Sequence, residues 1–435
     1  MILIFKHKPK NCKEMKSHYQ VLVIGGGTGG LMVAARLKRV MPTVDMAIIE
    51  PSEKHYYQPA WTLVGAGTYD MKDTIRDEKD YIPEGVEWIK DFASKLNPDG
   101  NAVETHSSGV ITYDFLVVAS GLVNDYSLLP GLEEALKTDS VCSNYVDPEK
   151  TWEVLQNFKG GNAVFTQPTT PIKCGGAPQK IMYMAEEYFR KSGVRDKTNV
   201  IFATPGSVIF GVKDFAKTLN EIIRDRDIIL KTFYAPKGID PVKKEIYFEY
   251  SKPGENTCVV TEDNKIKEFV EGTATVVMPY DMLHLAPPQT APSFLKKSPL
   301  AHQEGPNKGW MNVDIHTLQH KVYPNVFGLG DVAALPTAKT GAAIRKQAPV
   351  VVGNLMSLMS KKNELVNKYE GYSSCPLVTG YSKMVLAEFK YDNVRDSDPL
   401  LSKFVDTTKE QYSMWLLKKY ALPYLYWNMM LKGKM

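Results

Sequence analysis

The chain has 435 residues, 43% of them hydrophobic and 23% charged, enough for two or three domains with full cores. A formal net charge of +4 is too small to argue for a nucleic-acid partner and leaves a weak preference for an anionic surface. Five cysteines (Cys12, Cys142, Cys174, Cys258, Cys375) form no CxxC pair or zinc-finger spacing, their odd number argues against a secreted disulfide scaffold, and no run reaches the roughly 18–20 apolar residues of a spanning helix.

Residues 1–18 are lysine-rich with one acid and no arginine, and read as an N-terminal extension with weak targeting character. The first clear element is YQVLVIGGGTGGLMVAARLKRV. A buried strand, Val21 to Ile24, meets Gly25, Gly27 and Gly30, and an alanine-rich helix follows. Gly25 allows the tight turn, Gly27 lets the backbone approach a pyrophosphate, and Gly30 lets helix and strand pack closely. The helix N-terminus then offers amides and positive dipole to the phosphates. The next strand, MAIIE, ends at Glu50, where a carboxylate would bind ribose hydroxyls.

A second start is read at NVIFATPGSVIFG, Asn199 to Gly211, followed by a helix and the strand IILKTFY. Each half closes on a similar phrase, TYDFLVVASG at Thr112–Gly121 and PYDMLHLAPP at Pro279–Pro288. The expected fold is therefore α/β, with two Rossmann-like dinucleotide-binding domains, the second inserted into the first. The second copy offers Gly206 and Gly211 but no GxGxxG, and no acid ends IILKTFY, so a nicotinamide dinucleotide has poor grounds to bind there. The chain returns at YPNVFGLGDVAALPTAKTGAAI, Tyr323 to Ile344. Its Gly-Asp step resembles the place in two-domain flavoproteins where an aspartate bonds the ribitol of FAD, which makes Asp331 an FAD marker and fills the first site with FAD. The expected boundaries are 19–140 and 311–365 for the FAD domain, 141–310 for the second domain, and 366–435 for a C-terminal redox and membrane region.

The stretch TPIKCGGAPQK places Cys174 before two glycines and a proline that opens a helix. The helix dipole with Lys173 and Lys180 would favour thiolate, and Gly175 and Gly176 leave room for an approaching group. The same residue also fits a buried structural cysteine. Cys375, in GYSSCPLVTGYSKMVLAEF, sits in a second small-residue turn before Pro376.

Together TPIKCGGAPQKIMY, SSCPLVTGY, EPSEKHYYQPAWTLVGAG and LPYLYWNMML resemble the mitochondrial-type sulfide:quinone oxidoreductase family, from about Tyr19 to Leu431. The resemblance implies non-covalent FAD, oxidation of hydrogen sulfide at the pair Cys174 and Cys375, a small sulfur acceptor such as glutathione or sulfite, a ubiquinone-like quinone, and a place at the mitochondrial inner membrane. It implies further FAD contacts from Gly25, Gly27, Thr28, Gly29, Gly30, Glu50, Gln58, Ala93, Gly121, Asp331 and Lys339, and leaves Cys142 a bystander. Two departures stand out. The segment 235–271 is longer and more charged than the family's, read as a surface hairpin, and the chain ends at LKGKM where animal members continue with another amphipathic helix.

The final segment, Lys409 to Met435, is rich in Trp, Tyr, Met and Leu, flanked by Lys418, Lys419, Lys432 and Lys434. Such a segment can lie in the headgroup region with its lysines snorkelling, or line a quinone channel, or pack as an arm on the body. Pro423 is expected to break it into two short helices. The sequence leaves two other readings open. A type II NADH:quinone or pyridine nucleotide–disulfide reductase would need an intact second fingerprint and gives no reason for the two thiols. A non-catalytic flavoprotein paralogue draws on the Arg345–Lys346 pair, in a helix near the flavin where small residues are expected.

Overall fold

The structure is a computed structural model, and it describes residues 16–252, 266, 268–272, 274–362 and 364–435. The extension through residue 15, Cys12, Cys258 and the middle of the charged insert, residues 253–265 and 267, therefore lie outside the described residues.

The first unit runs β1 (His18–Ile24), α1 (Thr28–Val40), β2 (Met46–Ile49), β3 (Val86–Ile89), β4 (Ala93–Asn97), β5 (Ala102–Thr105) and β6 (Val110–Val118). Its sheet has the order β3-β2-β1-β6-β5-β4, and β12 (Val326–Gly328) adds beside β6 after the long excursion. β1 is parallel to β2 and β6. Val21, Leu22 and Val23 are fully buried because helices and loops cover both faces, so the strand reads as a continuous apolar run instead of an alternation. Ala291, Leu295 and Leu300 already pack into this core, ahead of residue 311 where the return was expected.

The second sheet is parallel throughout, in the order β7 (Val141–Cys142), β11 (Met282–His284), β8 (Gly161–Thr166), β9 (Thr198–Thr204), β10 (Ile229–Thr232). Helix α2 (Ala177–Ser192) links β8 to β9, and α3 (Lys213–Asp225) links β9 to β10. The repeat is therefore real, but it begins one unit earlier than Asn199. β6, with its Tyr-Asp-x-Leu phrase, lies beside β1; β11, which follows the matching phrase, lies beside β8. By that correspondence the counterpart of the first glycine turn is residues 167–176, the turn that carries Cys174.

The segment expected as a surface hairpin supplies the strands Tyr234–Asp240, Glu245–Tyr250 and Phe269–Glu271 to a four-stranded antiparallel sheet that Thr275–Pro279 completes. Its Ile246, Phe248 and Met278 join the core under the second parallel sheet, so apolar burial holds it to the body. Helix α4 (Gly341–Met359) packs on α1, and a hairpin of β13 (Ser373–Gly380) and β14 (Lys383–Lys390) packs on α2.

The C-terminal arm is helical in successive pieces, Tyr412–Leu416, Leu417–Ala421, Leu422–Leu425 and Tyr426–Met430, the second and fourth being π turns. Pro423 does not break it. The wide turn at Leu417–Ala421 comes just before the proline, where it absorbs both the missing N–H and the ring. Met414 and Trp415 join the core of the second unit, and Tyr426, Trp427 and Met430 join that of the first, so the arm straps the two together. Among the described residues no helix is long and apolar enough to cross a membrane.

Candidate active site

The first turn is shaped for a dinucleotide. A Cβ on Gly27, at the head of α1, or on Gly121, at the end of β6, would meet nothing within 4 Å. Between those open positions and the core lies the buried Ser120 hydroxyl, without a hydrogen-bond partner among the described residues. An orphan hydroxyl beside an open cradle fits a bound diphosphate or ribityl oxygen. Glu50 is fixed at the edge of the turn: its two oxygens accept from the Gly26 and Ser52 N–H groups, each at 2.7 Å. Thr28 and Gly29 open α1, with Gly29 packed against Ala119. Gln58 starts a short turn after β2, and Ala93 starts β4. Just before Ala93, Asp91 accepts from the Phe92, Ser107 and Ser108 N–H groups, which hold its carboxyl far below the usual range.

Across the cradle stands the Gly-Asp turn. Gly330 has φ +74°, a conformation glycine adopts without strain, and its N–H is held by the Gln347 side chain at 2.8 Å. Burial pushes the Asp331 carboxyl up, against the pull of Lys339 and Lys173. Lys339 donates to the Asp331 and Ala333 carbonyls, and burial lowers it to about 8. The residues present fit FAD: Gly27 and Thr28 would hold the pyrophosphate and Glu50 the adenosine ribose, with Asp331 and Lys339 facing the ribityl-flavin end.

The structure brings Cys174 to this end. The Cys174 N–H donates to the Lys339 carbonyl at 2.7 Å, and Tyr145 donates to the Cys174 carbonyl at 3.1 Å. The turn is tight enough to hold Cys174 at φ +53°, a left-handed value unusual for a side chain with a Cβ and common where function over-determines the backbone. Cys375, on β13, faces the head of α2. A Cβ on Gly176 would overlap the Cys375 sulfur, so the second glycine of the Cys-Gly-Gly turn is the space in which the two thiols meet.

The two sulfurs are unequal. The Cys375 thiol donates to Cys174, and that bond, with Lys180 and Lys418 nearby, holds the Cys174 thiol well below its ordinary value despite burial. The same bond and burial raise Cys375. Lys180 Nζ lies 3.0 Å from the Cys174 sulfur; burial lowers Lys180, but the two thiols outweigh it and the net shift is upward. Lys173, expected as a thiol partner, instead senses Asp331 and lies over the Trp61 ring.

Lys418 is the residue that sequence reasoning missed. The sequence suggests a snorkelling lysine, yet Lys418 is 3% exposed, donates to the Pro59 carbonyl at 2.7 Å, and faces the thiols. Burial, with Lys180 as a like charge, lowers it to about 7. Nothing in KKY distinguishes the buried Lys418 from its half-buried neighbour Lys419; only tertiary placement does. Lys418→Met is expected to raise the Cys174 thiol by up to about one pKa unit below pH 7, measured as the pH dependence of its alkylation. The stability sign follows from the same value. The unfolded lysine titrates near 10.5 and the folded one near 7, so the folded state binds fewer protons between them. The melting temperature of the parent protein should therefore rise with pH across that window relative to Lys418→Met.

Cys142 stands apart on β7, buried and pushed up to about 12 by burial, in keeping with a bystander. Arg345 donates to the Tyr372 hydroxyl at 3.1 Å, and Tyr372 donates to Glu388 at 2.6 Å, so this cation is held in a local network. Beyond the thiols a cavity of about 400 Å³ opens between the second unit and the β13–β14 hairpin. Cys375, Gly175 and Gly176 line it, with Gln179, Thr204 and Lys390.

A glycine turn built for FAD and a second unit whose own turn carries a thiol opposed to another thiol define a two-domain flavoprotein of the disulfide oxidoreductase class. Residues 19–154 match the pyridine nucleotide-disulphide oxidoreductase family. The mouse protein named sulfide:quinone oxidoreductase, mitochondrial, is 47% identical over 97% of this chain and 88% of its own length. The solved sulfide:quinone oxidoreductase of Aquifex aeolicus shares the fold at a TM-score of 0.74 and 21% identity, over 96% of this chain and 92% of that one. A chain in the Tetrahymena thermophila mitochondrial ATP synthase shares it at 0.78 and 22%, over 99% of each. The chain belongs to the sulfide:quinone oxidoreductase family, and its cofactor is FAD.

Proposed function

We propose that this chain oxidises sulfide at the Cys174–Cys375 pair, transfers the sulfane sulfur to a small acceptor such as glutathione or sulfite, and delivers two electrons to a ubiquinone-like quinone at the mitochondrial inner membrane. The observation that carries this reading is the meeting of the two thiols across Gly176, with Lys180 Nζ 3.0 Å from the Cys174 sulfur, beside the FAD cradle. In the oxidised pair the sulfurs are bridged. Hydrosulfide attacks the bridge, one sulfur gains the new S–S bond as a persulfide, and the other leaves as thiolate. Lys180 Nζ, 3.0 Å from the Cys174 sulfur, stabilises a thiolate there, which makes Cys174 the leaving group and Cys375 the persulfide carrier. Lys180, with Lys418 while protonated, holds the charge released on Cys174.

The cavity supports the same assignment, since Cys375 lines it. An acceptor thiolate or sulfite there takes the outer sulfur and leaves both cysteines reduced. Re-forming the bridge releases two electrons, and the two thiol protons leave with the site's lysines as carriers. FAD, when bound, supplies a two-electron acceptor that passes those electrons to quinone. A volume of about 400 Å³ suits a small ligand, and the glycine fingerprint that a nicotinamide dinucleotide would need is replaced here by the Cys-Gly-Gly turn. Titration of the flavin spectrum under argon tests the function: sulfide should bleach it and NADH should not. Bleaching by NADH alone would overturn the proposal in favour of a nicotinamide-dependent reductase.

The outer face of the arm supports membrane attachment. Tyr412, Tyr420 and Tyr424 are 59%, 61% and 63% exposed, and Lys419 stands among them. Amphipathic rings with a cation suit the headgroup boundary. Replacing all three tyrosines with serine, which leaves the buried face intact, should weaken binding to anionic liposomes by about tenfold or more. Equal pelleting of parent and triple variant would remove the arm as the attachment face.

A further inference from the structure

Two segments far apart in sequence meet at the head of α1. Thr28 Oγ1 lies 2.7 Å from the Tyr426 hydroxyl of the arm, that hydroxyl lies 2.6 Å from His55 Nε2, and His55 Nδ1 lies 2.9 Å from Glu78 Oε2. His55, Glu78 and Tyr426 are all buried. The other Glu78 oxygen has no hydrogen-bond partner among the described residues and lies against Gly26. The thiol chemistry uses none of these groups.

Each hydroxyl has a single proton to give, so the row has a direction, and the proton count on the Glu78–His55 pair sets it. With one proton, on Nδ1 and donated to the carboxylate, Nε2 accepts from Tyr426, and the Tyr426 oxygen accepts from Thr28. Thr28 then offers a ligand only lone pairs, which repel a phosphate. With a second proton on the pair, Nε2 donates to Tyr426, Tyr426 donates to Thr28, and the Thr28 O–H is free to donate outward. An imidazolium facing a carboxylate and an imidazole facing a carboxylic acid give the same direction.

We propose that Glu78, His55 and Tyr426 form a proton-linked positioning relay that turns the Thr28 hydroxyl toward the FAD pyrophosphate, so that FAD binding takes up a proton and depends on the docked C-terminal arm. The relay rests on FAD occupying the first glycine turn. Burial favours the protonated carboxyl at Glu78, opposed by the bond to His55 and reinforced by Glu50. Glu50 faces the pair across Gly26; Tyr57 and Tyr81 pack on the rings of Tyr426, His55 and Trp427; Arg76 lies over Trp427 and Lys432 over Tyr81. Burial raises Tyr57, Tyr81 and Tyr426, which keeps all three protonated through neutral pH. By linkage, the arm and FAD must then stabilise each other's docking.

The sign is fixed: the extra proton favours FAD, so affinity is highest where the second proton is present and falls as rising pH removes it. Equilibrium release of FAD from the full-length holoprotein, followed by flavin fluorescence between about pH 6 and 9, should show affinity falling by up to about tenfold per pH unit. Binding in weakly buffered solution with an indicator dye should show proton uptake. Tyr426→Phe keeps the ring packing and loses the link; it should bind FAD about tenfold or more weakly at low pH, with neither slope nor uptake. Glu78→Gln should lose the slope as well. Should either variant fail to fold, Thr28→Ser should keep the slope and Thr28→Val abolish it. A parent protein with pH-independent FAD affinity, or Tyr426→Phe with the parent slope, overturns the relay. If FAD stays bound in Gly27→Val, the reading of the first turn fails instead, so the two failures are distinguishable.

Discussion

Cys375→Ser is expected to purify with FAD and to lose sulfide turnover by roughly a thousandfold or more. Its hydroxyl fits the space beside Gly176 but cannot form the sulfur bridge that hydrosulfide attacks, so neither persulfide nor leaving thiolate arises. Cys174→Ser should be as inactive, and the double variant no worse than either, because the two sulfurs act as one unit. The single variants differ in one readout. In Cys375→Ser the remaining Cys174 sits by Lys180 Nζ, 3.0 Å from its sulfur, and should alkylate readily at neutral pH. In Cys174→Ser the remaining Cys375 keeps its burial and loses its anionic neighbour, and should alkylate slowly. Cys142→Ser, remote on β7 and raised by burial, should turn over almost normally. Near-normal turnover by Cys375→Ser would remove the pair as the reaction centre.

What the sequence revealed follows the range of the forces involved. The first turn was legible because its requirements are local: a strand, glycines at fixed offsets, a helix and an acid at the end of the next strand. The Cys174 turn was legible as a candidate site for the same reason, and Pro178 does lie in the first turn of α2. Its place in the repeat was not. A turn that has exchanged its fingerprint for Cys-Gly-Gly no longer looks like the head of a dinucleotide unit, so in the sequence the next strand resembles the start. Only strand pairing, with β11 beside β8 as β6 is beside β1, restores the register. Lys418 and Tyr426 lay beyond reach because both belong to an arm whose sequence looks amphipathic all round. Its buried cation and buried hydroxyl are chosen by partners hundreds of residues away, Pro59 and His55, and no local pattern encodes that choice.

Gly27→Val is expected to give a folded, colourless protein. The argument turns on how differently the three fingerprint glycines are held. Gly25 has φ +99°, and a Cβ there would lie 2.6 Å from the Ala119 carbonyl oxygen; Gly30 faces the Gly25 carbonyl so closely that a Cβ would overlap it. Both are required by the protein itself, and Gly30→Ala should destabilise the chain with or without cofactor, by an overpacking cost of about 1–3 kcal/mol. Gly27 is different. Its φ of −65° and extended ψ suit any residue, and a Cβ would meet nothing within 4 Å. Neither backbone nor neighbours explain a glycine there, which leaves the ligand. Valine would place its methyl groups where the pyrophosphate must approach the amides of α1, and FAD affinity should fall by at least about a hundredfold, roughly 3 kcal/mol. The check is a pair of measurements on one preparation: flavin absorbance per chain and the melting temperature of FAD-free protein. Gly27→Val should lose the first and keep the second, whereas Gly30→Ala should lower the second. A Gly27→Val protein with stoichiometric FAD would show that the cofactor lies elsewhere, and with it the thiol pair would lose its neighbouring electron acceptor.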